Sequence, residues 1–360
     1  MTVSDAPPRD RLVRKPRYTV MEMSTPSLSR RRFLATATAA IAATALGRAA
    51  PGAGNRLRLG APAFAKTQDP EEMAQAHLAL GYRAAYCPKV EITATDRVRA
   101  SRETFARHDT VIAQGGRWVN RRDADPAKRK ENFDKVVGGL ALADEIGALC
   151  CVDIAGSFNE KVWYGPDPRN IGQEFFDAAV ENARKIIDAV KPKRAKFCYE
   201  MMGWSLPDSP DSYLRMLKAV DRPAFAAHLD PCNLVNSPER FYRNGDLIRE
   251  CFEKLGPHIV SCHAKDLAWE VEMNVHFVEV AAGRGQLDYA AYLKGLASLP
   301  QRPPLMIEHL KTPEEYAEAA RHIRAVGETV GIALCQNCAG GEVNPIPHIV
   351  PSWQSLQRPS

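Results

Sequence analysis

The sequence predicts a single (β/α)8 barrel, in which eight parallel strands are each followed by a helix. Short apolar runs of strand length alternate with segments long enough for a helix from residue 56 to about residue 331. Four of these runs end in an ionisable side chain, and barrels of this kind build their active sites at the carboxyl ends of their strands. The four terminal residues are Glu200, Asp230, His263 and Glu308.

The first half of the chain supplies four strand and helix pairs. Two helices are expected to start at Asp69-Pro70 and Asp125-Pro126, because Asp is a favoured N-cap and Pro is tolerated in the first turn. A long loop rich in Gly, Pro and aromatic residues follows the fourth strand over 156–170. The four strands are predicted at 56–65, 83–90, 110–113 and 149–155.

The second half continues the alternation. A helix over 172–190 leads into a fifth strand that ends at Glu200, and three further strands end near Asp230, His263 and Glu308. We therefore assign 51–331 to one barrel domain and predict that the Pro- and Gly-rich residues 332–360 form a tail that wraps around it.

The first fifty residues are predicted to be a cleaved export signal. Ser29-Arg-Arg-Arg-Phe-Leu-Ala35 has the form of a twin-arginine signal, and a weakly apolar stretch follows over 35–50. This stretch is too short and too rich in Ala and Thr to be a stable membrane anchor. We expect delivery to the periplasm, or otherwise out of the cytoplasm, by the twin-arginine translocase. The alternative is the basic, amphipathic start of a cytosolic protein.

The charge of the mature chain argues against nucleic acid as a partner. The whole sequence has 48 basic and 43 acidic residues, of which residues 1–50 hold nine and three, so 39 and 40 remain. A nearly neutral body lacks the basic surface that nucleic-acid or membrane-surface binding requires. We expect a homo-oligomer whose ligand is a small molecule.

The nine cysteines are an odd number, and most lie in or beside apolar runs, where they resemble small buried hydrophobic residues. Cys335 and Cys338 form a CxxC pair beyond the last predicted helix. A zinc half-site or a redox pair is one interpretation of it. A tail disulfide or two free thiols is favoured, because the chain has no second CxxC.

Five segments resemble the sugar phosphate isomerase/epimerase family, the xylose-isomerase-like barrel group that also holds tagatose-type 3-epimerases and inosose dehydratases. The resemblance implies that Glu200, Asp230, His263 and Glu308 bind one divalent metal ion. Three carboxylates and one imidazole suit Mn²⁺ best, with Mg²⁺ or Co²⁺ as alternatives. The five segments are 149–157, 228–233, 261–266, 283–288 and 306–309.

The resemblance also implies a proton-transfer reaction. A divalent ion that chelates a carbonyl oxygen and the neighbouring hydroxyl stabilises an enediolate, which acidifies the C–H bond between them. In epimerase relatives the first and last ligands, here Glu200 and Glu308, flank opposite faces of the sugar. One would remove the proton and the other would return it.

Further residues are candidates for substrate binding. His228 and Lys265 lie two residues from a predicted ligand and share its inward face, although a buried core histidine and a carboxylate-paired lysine are the alternatives. His309 is expected to point away from the axis, because its neighbour Glu308 points inward. The remaining candidates are Asn233 and the loop residues Trp163, His276 and Glu279, with Glu160 expected to be solvated.

These observations favour an exported, metal-dependent isomerase or epimerase acting on an unphosphorylated sugar, keto-sugar or cyclitol. A lyase or dehydratase acting on a 3-keto-glycoside or inosose in the same site is the close alternative. An apurinic-site endonuclease shares the barrel but needs three zinc ions, extra histidines and a basic groove, while the chain has nine histidines. A sugar-binding barrel without activity is the third alternative.

Overall fold

Eight parallel strands close into a barrel in the computed structural model, which describes residues 56–335. The predicted (β/α)8 fold is therefore confirmed. The strands follow one another around the barrel in chain order, and the last strand pairs with the first. The predicted signal and nearly all of the predicted tail, including Cys338, lie outside the described residues.

The bounds of the strands differ from the predicted runs: the first, second and fourth strands are shorter than predicted, and the third is longer. In chain order the barrel strands are β1 (Leu59–Gly60), β2 (Ala84–Tyr86), β3 (Val111–Gly116), β4 (Cys150–Asp153), β5 (Lys196–Glu200), β6 (Phe225–Leu229) and β7 (Ile259–Ala264). A two-stranded antiparallel hairpin, β8 (Asp266–Glu270) and β9 (His276–Val280), follows β7. The barrel closes with β10 (Leu305–Ile307).

Helices follow the strands around the outside of the barrel. They are α1 (Pro70–Ala79), α2 (Thr95–Arg107), α3 (Pro126–Ile146), α4 (Gln173–Val190), α5 (Pro210–Val220), α6 (Pro238–Tyr242), α7 (Asn244–Leu255), α8 (Tyr289–Ser298) and α9 (Pro313–Thr329). Asp69 and Asp125 cap α1 and α3 as predicted, since each side chain accepts hydrogen bonds from first-turn amides. Among the described helices, none is both long and apolar enough to cross a membrane.

Buried tyrosines connect the helices to the sheet. The Tyr213 hydroxyl on α5 lies 2.7 Å from the carbonyl oxygen of Tyr199 and 2.9 Å from that of Ala226, on β5 and β6. On α8, the Tyr292 hydroxyl donates to the carbonyl oxygen of His263 at 2.8 Å. Each buried hydroxyl thus has partners on the strands that end in the candidate ligands, which favours one fixed position for those strand ends.

The β8–β9 hairpin is an insertion that corrects the prediction of a loop around His276 and Glu279. Its aromatic side chains pack on α6: the rings of Phe241 and Phe277 stack with centroids 5.0 Å apart. Trp269 meets the same two rings edge-on. The hairpin therefore has a small apolar anchor of its own, which holds β9 beside the barrel mouth.

Candidate active site at the barrel mouth

Four buried side chains converge at the carboxyl ends of β5, β6, β7 and β10. Their possible ligand atoms all lie within 4.8 Å of one another. The Nδ1 atom of His263 is 2.9 Å from Glu308 Oε1, 3.1 Å from Glu200 Oε1 and 3.5 Å from Asp230 Oδ2. The structure thus brings together the four residues that the sequence singled out as metal ligands.

The strand register explains this convergence. Met306 on β10 is paired with His263 on β7, and Leu229 on β6 is paired with Cys262. Asp230, one residue beyond β6, therefore lies level with His263. Because all the parallel strands end at the same rim of the barrel, the side chains at the carboxyl ends of four strands meet over the barrel axis.

Lys265 lies inside the same cluster, and its side chain is almost fully buried. Its ammonium nitrogen is 2.8 Å from Asp230 Oδ2, 3.0 Å from Glu308 Oε1 and 3.5 Å from Glu279 Oε2. Of the two predicted roles, the structure shows the pairing with carboxylates. The three carboxylates of the cluster are thus met by one lysine and one histidine, so the site is rich in negative charge.

The charges of the cluster shift one another's ionisation. Burial alone would raise the pKa of Glu308, but the positive charges of His263 and Lys265 outweigh it and hold that pKa at about 2. Burial likewise opposes ionisation of Asp230, and Lys265 outweighs it, so the Asp230 pKa lies below its usual value. Both groups are therefore carboxylates at neutral pH, which is the form that binds a metal cation.

Two of the carboxylate oxygens lack a hydrogen-bond donor in good geometry. Asp230 Oδ2 and Glu308 Oε1 are buried and without a hydrogen bond, although Lys265 Nζ lies close to both. The lysine contact is therefore an ion pair whose angles are poor for a hydrogen bond. Buried anionic oxygens with spare lone pairs, beside one imidazole, fit a divalent cation such as Mn²⁺ or Mg²⁺.

Trp118 belongs to the site, although sequence reasoning did not select it. Its indole Nε1 donates to Glu200 Oε2 at 3.0 Å, while the Asn233 side-chain amide donates to Glu200 Oε1 at 3.2 Å. Asn233, a predicted substrate contact, also donates to the backbone carbonyl of Met201. Both oxygens of Glu200 are therefore held by this chain's own side chains.

The backbone around Trp118 is tied to β4 on both sides. The amide of Arg117 donates to the carbonyl oxygen of Val152 at 3.1 Å, and the amide of Val119 donates to Asp153 Oδ1 at 3.1 Å. The indole ring lies against Gly116, where an added Cβ would come within 1.6 Å of a ring atom. The Gly115-Gly116 pair before the tryptophan was the signal in the sequence that such a close approach was needed.

A polar group of three residues, His228, Gln114 and Ser261, lies beneath the cluster inside the barrel, and all three are fully buried. The ring of His228 meets that of His263 edge-on with centroids 4.1 Å apart. Neither ring nitrogen of His228 has a hydrogen-bond partner, and burial followed by the nearby charge of His263 lowers its pKa to about 3. His228 is therefore neutral at physiological pH. Of the other two members, Gln114 contacts His263 and Ser261 donates a hydrogen bond to Gln114.

The prediction that His309 points away from the site is wrong. The residue follows β10 with a φ of 62°, in the left-handed region, so the strand alternation does not continue through it. Its Nδ1 lies 3.0 Å from Glu279 Oε1 and its Nε2 lies 3.7 Å from Glu308 Oε1. His309 and Glu279 thus form a pair at the rim of the cluster, and Glu279 also contacts Lys265.

The structure gives the remaining loop candidates partners elsewhere. His276 lies in the hairpin, half exposed, with its Nδ1 3.1 Å from Glu270 Oε2. Trp163 is exposed in the loop after β4, where its ring meets that of Tyr164 edge-on, and Glu160 in the same loop is exposed as expected. None of the recorded contacts of these three described residues reaches the four-residue cluster.

The chain is a (β/α)8-barrel protein with carboxylates and an imidazole gathered at the carboxyl ends of its strands. The sequence profile of the Xylose isomerase-like TIM barrel family matches residues 80–326, so the chain belongs to that family. No curated protein matches the sequence.

Solved structures share the fold at low sequence identity. A xylose isomerase-like TIM barrel protein from Mycobacterium smegmatis, in complex with magnesium, is 16% identical over 77% of this chain and 97% of its own, with a TM-score of 0.53. D-psicose 3-epimerase with D-tagatose, from Clostridium cellulolyticum, is 11% identical over 78% and 100%, at 0.53. Endonuclease IV from Thermus thermophilus is 16% identical over 76% and 99%, at 0.57.

Proposed function

We propose that the protein is a metal-dependent isomerase or epimerase of an unphosphorylated sugar, keto-sugar or cyclitol. The observation that carries this proposal is the convergence of Glu200, Asp230, His263 and Glu308 at one end of the barrel. The sugar epimerase among the proteins of similar fold supports it, as does the magnesium bound by another.

One divalent ion would be held by these four side chains, with Mn²⁺ the best match to their oxygen-rich set. When bound, such an ion polarises a substrate carbonyl and the neighbouring hydroxyl, which makes the C–H bond between them more acidic. The cluster has the negative charge needed to attract the ion, and two of its buried oxygens lack a hydrogen bond.

The proton is moved by this chain's own carboxylates. Glu308 is held by His263 and Lys265 on its Oε1 side, which leaves Oε2 as the candidate base. Glu200 is the candidate partner on the other side of the cluster. Its Oε2 already accepts the indole N–H of Trp118, which orients this oxygen within the site.

The rim offers groups that orient a polyhydroxylated substrate. Lys265 places its ammonium group beside the cluster, and His309 is held by Glu279 with its second ring nitrogen toward Glu308. Hydroxyl groups both donate and accept hydrogen bonds, so an imidazole and a carboxylate side by side suit them well.

A lyase or dehydratase is the second candidate, and the position of His309 favours it. Elimination needs the same proton removal, followed by loss of a group from the next carbon. His309 Nε2 lies 3.7 Å from Glu308 Oε1, which places the imidazole near the base as a proton donor to the leaving oxygen.

Turnover of a panel of keto-sugars, 3-keto-glycosides and cyclitols by Mn²⁺-loaded protein tests the function. A new sugar or cyclitol of the same mass supports isomerisation or epimerisation. An unsaturated or dehydrated product transfers the assignment to the lyase. A metal-loaded protein that converts no member of the panel contradicts both.

Export by the twin-arginine pathway is part of the proposal, and Ser29-Arg-Arg-Arg-Phe-Leu-Ala35 supports it. An exported enzyme would meet unphosphorylated sugars, because sugar phosphates are mostly cytosolic. Replacing Arg30 and Arg31 by lysine should leave the protein in the cytoplasm. Fractionation that finds the variant exported as well as the wild type contradicts the proposed pathway.

A further inference from the structure

Gln114 contacts the side of His263 that faces away from the carboxylates. It lies on β3, fully buried, and its side-chain amide nitrogen is 2.6 Å from His263 Nε2. Its amide oxygen accepts a hydrogen bond from the Ser261 hydroxyl at 2.7 Å. Among the described residues, Gln114 is therefore the hydrogen-bond partner of His263 Nε2. The other ring nitrogen, Nδ1, faces Glu200, Asp230 and Glu308.

The two ring nitrogens of a neutral histidine cannot both carry the proton. With the amide nitrogen of Gln114 donating to Nε2, a neutral His263 carries its proton on Nδ1, pointing at the carboxylates, whereas a charged His263 carries a proton on both nitrogens. A histidine that binds a metal through Nδ1 needs the opposite arrangement, with its proton on Nε2. Two N–H groups would then face each other across 2.6 Å, which is repulsive.

A half turn of the Gln114 amide removes this conflict. The oxygen and nitrogen of a carboxamide have nearly the same shape, so the turn exchanges an acceptor for a donor without moving other atoms. Ser261 permits both arrangements, because its hydroxyl can donate to the amide oxygen or accept from the amide nitrogen. The ring of His228 packs edge-on against that of His263, with centroids 4.1 Å apart.

We propose that Gln114, supported by Ser261, is the positioning residue that holds the Nε2 proton of His263 and thereby makes Nδ1 the metal-binding nitrogen. This inference rests on the metal site of the proposed function. It adds that the metal affinity of the site depends on a side chain of β3 that does not touch the ion. Mutation of a side chain that hydrogen-bonds to a metal ligand typically lowers metal affinity by about 10- to 100-fold.

Variants of Gln114 test the proposal through binding of Mn²⁺ alone, measured as free Mn²⁺ by electron paramagnetic resonance. Gln114→Met keeps the length but replaces the amide oxygen by a thioether, which is a much weaker acceptor for Nε2–H, so we expect the Kd to rise by about 10- to 100-fold. Gln114→Glu keeps an acceptor at that position, so we expect an affinity equal to or tighter than that of the wild type. Thr110→Val is the matched control, since Thr110 is buried beside the start of β3 and bonds to the carbonyl oxygen of His108 instead.

A Kd for Gln114→Met within twofold of the wild type overturns the proposal, as does equal weakening by Gln114→Met and Gln114→Glu. The wild type supplies a second test that does not depend on folding of a variant. In Mg²⁺-loaded protein with ¹⁵N-labelled histidine, NMR should show the proton of His263 on Nε2, and a proton on Nδ1 overturns the proposal.

These outcomes are distinct from failure of the proposed function. Wild-type protein that binds no divalent ion contradicts the metal site and this inference together. Protein that binds Mn²⁺ with the expected variant pattern but converts no sugar contradicts the proposed function and leaves the role of Gln114 in place.

Discussion

The indole N–H of Trp118 donates to Glu200 Oε2 at 3.0 Å, across the space between the ends of β3 and β5. The ring fits there because residue 116 is glycine. A tryptophan in a loop after one strand thus controls a carboxylate at the end of another. The orientation of the Glu200 carboxylate therefore depends on a contact from the β3 side of the barrel as well as on β5.

Trp118→Phe keeps an aromatic ring and removes this hydrogen bond. A hydrogen bond to a charged group contributes about 1.5–3 kcal/mol, and partial exposure of the indole places the effect at the lower end, so we expect kcat to change by about 10-fold. Steady-state kinetics on the identified substrate measures it. Gly116→Ala should have a similar effect, because the added methyl group displaces the ring while Trp118 itself is unchanged. An unchanged kcat in both variants contradicts a role for this contact.

Removal of His263 should weaken metal binding. His263→Ala deletes the nitrogen that faces all three carboxylates, so we expect at least a 10-fold loss of Mn²⁺ affinity. Elemental analysis of the wild type should give about one divalent ion per chain, lost with EDTA and restored by Mn²⁺ or Co²⁺. His108→Ala is the control, since that histidine pairs with Glu71 on the outer helices. Unaltered occupancy in His263→Ala would exclude this site.

The His309→Gly variant should keep the thermal stability of the protein but bind substrate more weakly. The left-handed backbone of His309 costs on the order of 1 kcal/mol that glycine avoids, so His309→Gly should unfold at an equal or higher temperature. Loss of the imidazole should raise the KM about 10-fold, because the rim loses the ring oriented by Glu279. Lys191→Gly is the matched control: Lys191 is left-handed at the end of α4, with a φ of 52°. Its KM should stay that of the wild type, and an equal KM in His309→Gly would exclude substrate contact.

The sequence predicted the barrel and the ends of its strands because both leave local patterns. An apolar run followed by a carboxylate or imidazole, as at Glu200 and Glu308, is visible without knowing what lies nearby. Convergence of the four residues then follows from the closed parallel sheet.

The details that were missed depend on contacts between distant segments. Trp118 reaches Glu200 only because Asp153 holds the neighbouring amide and Gly116 leaves room. His309 faces the site because its backbone leaves the β region, which strand alternation cannot indicate. The β8–β9 hairpin depends on its packing against Phe241 in α6, a contact between segments far apart in the sequence.

Proton exchange at the substrate carbon is the most direct test of the proposed chemistry. Mn²⁺-loaded protein is incubated with keto-sugars, 3-keto-glycosides and cyclitols in D₂O, the metal is removed, and NMR locates any deuterium. We predict deuterium at the carbon beside the carbonyl, with a rate at least 10²-fold lower in Glu308→Gln, which keeps the side-chain shape but removes the base. Glu200→Gln should lose inversion, and exchange that persists there would assign Glu308 as the first base. Metal-loaded wild type that gives neither deuterium nor product across the panel would contradict proton-transfer chemistry at this site.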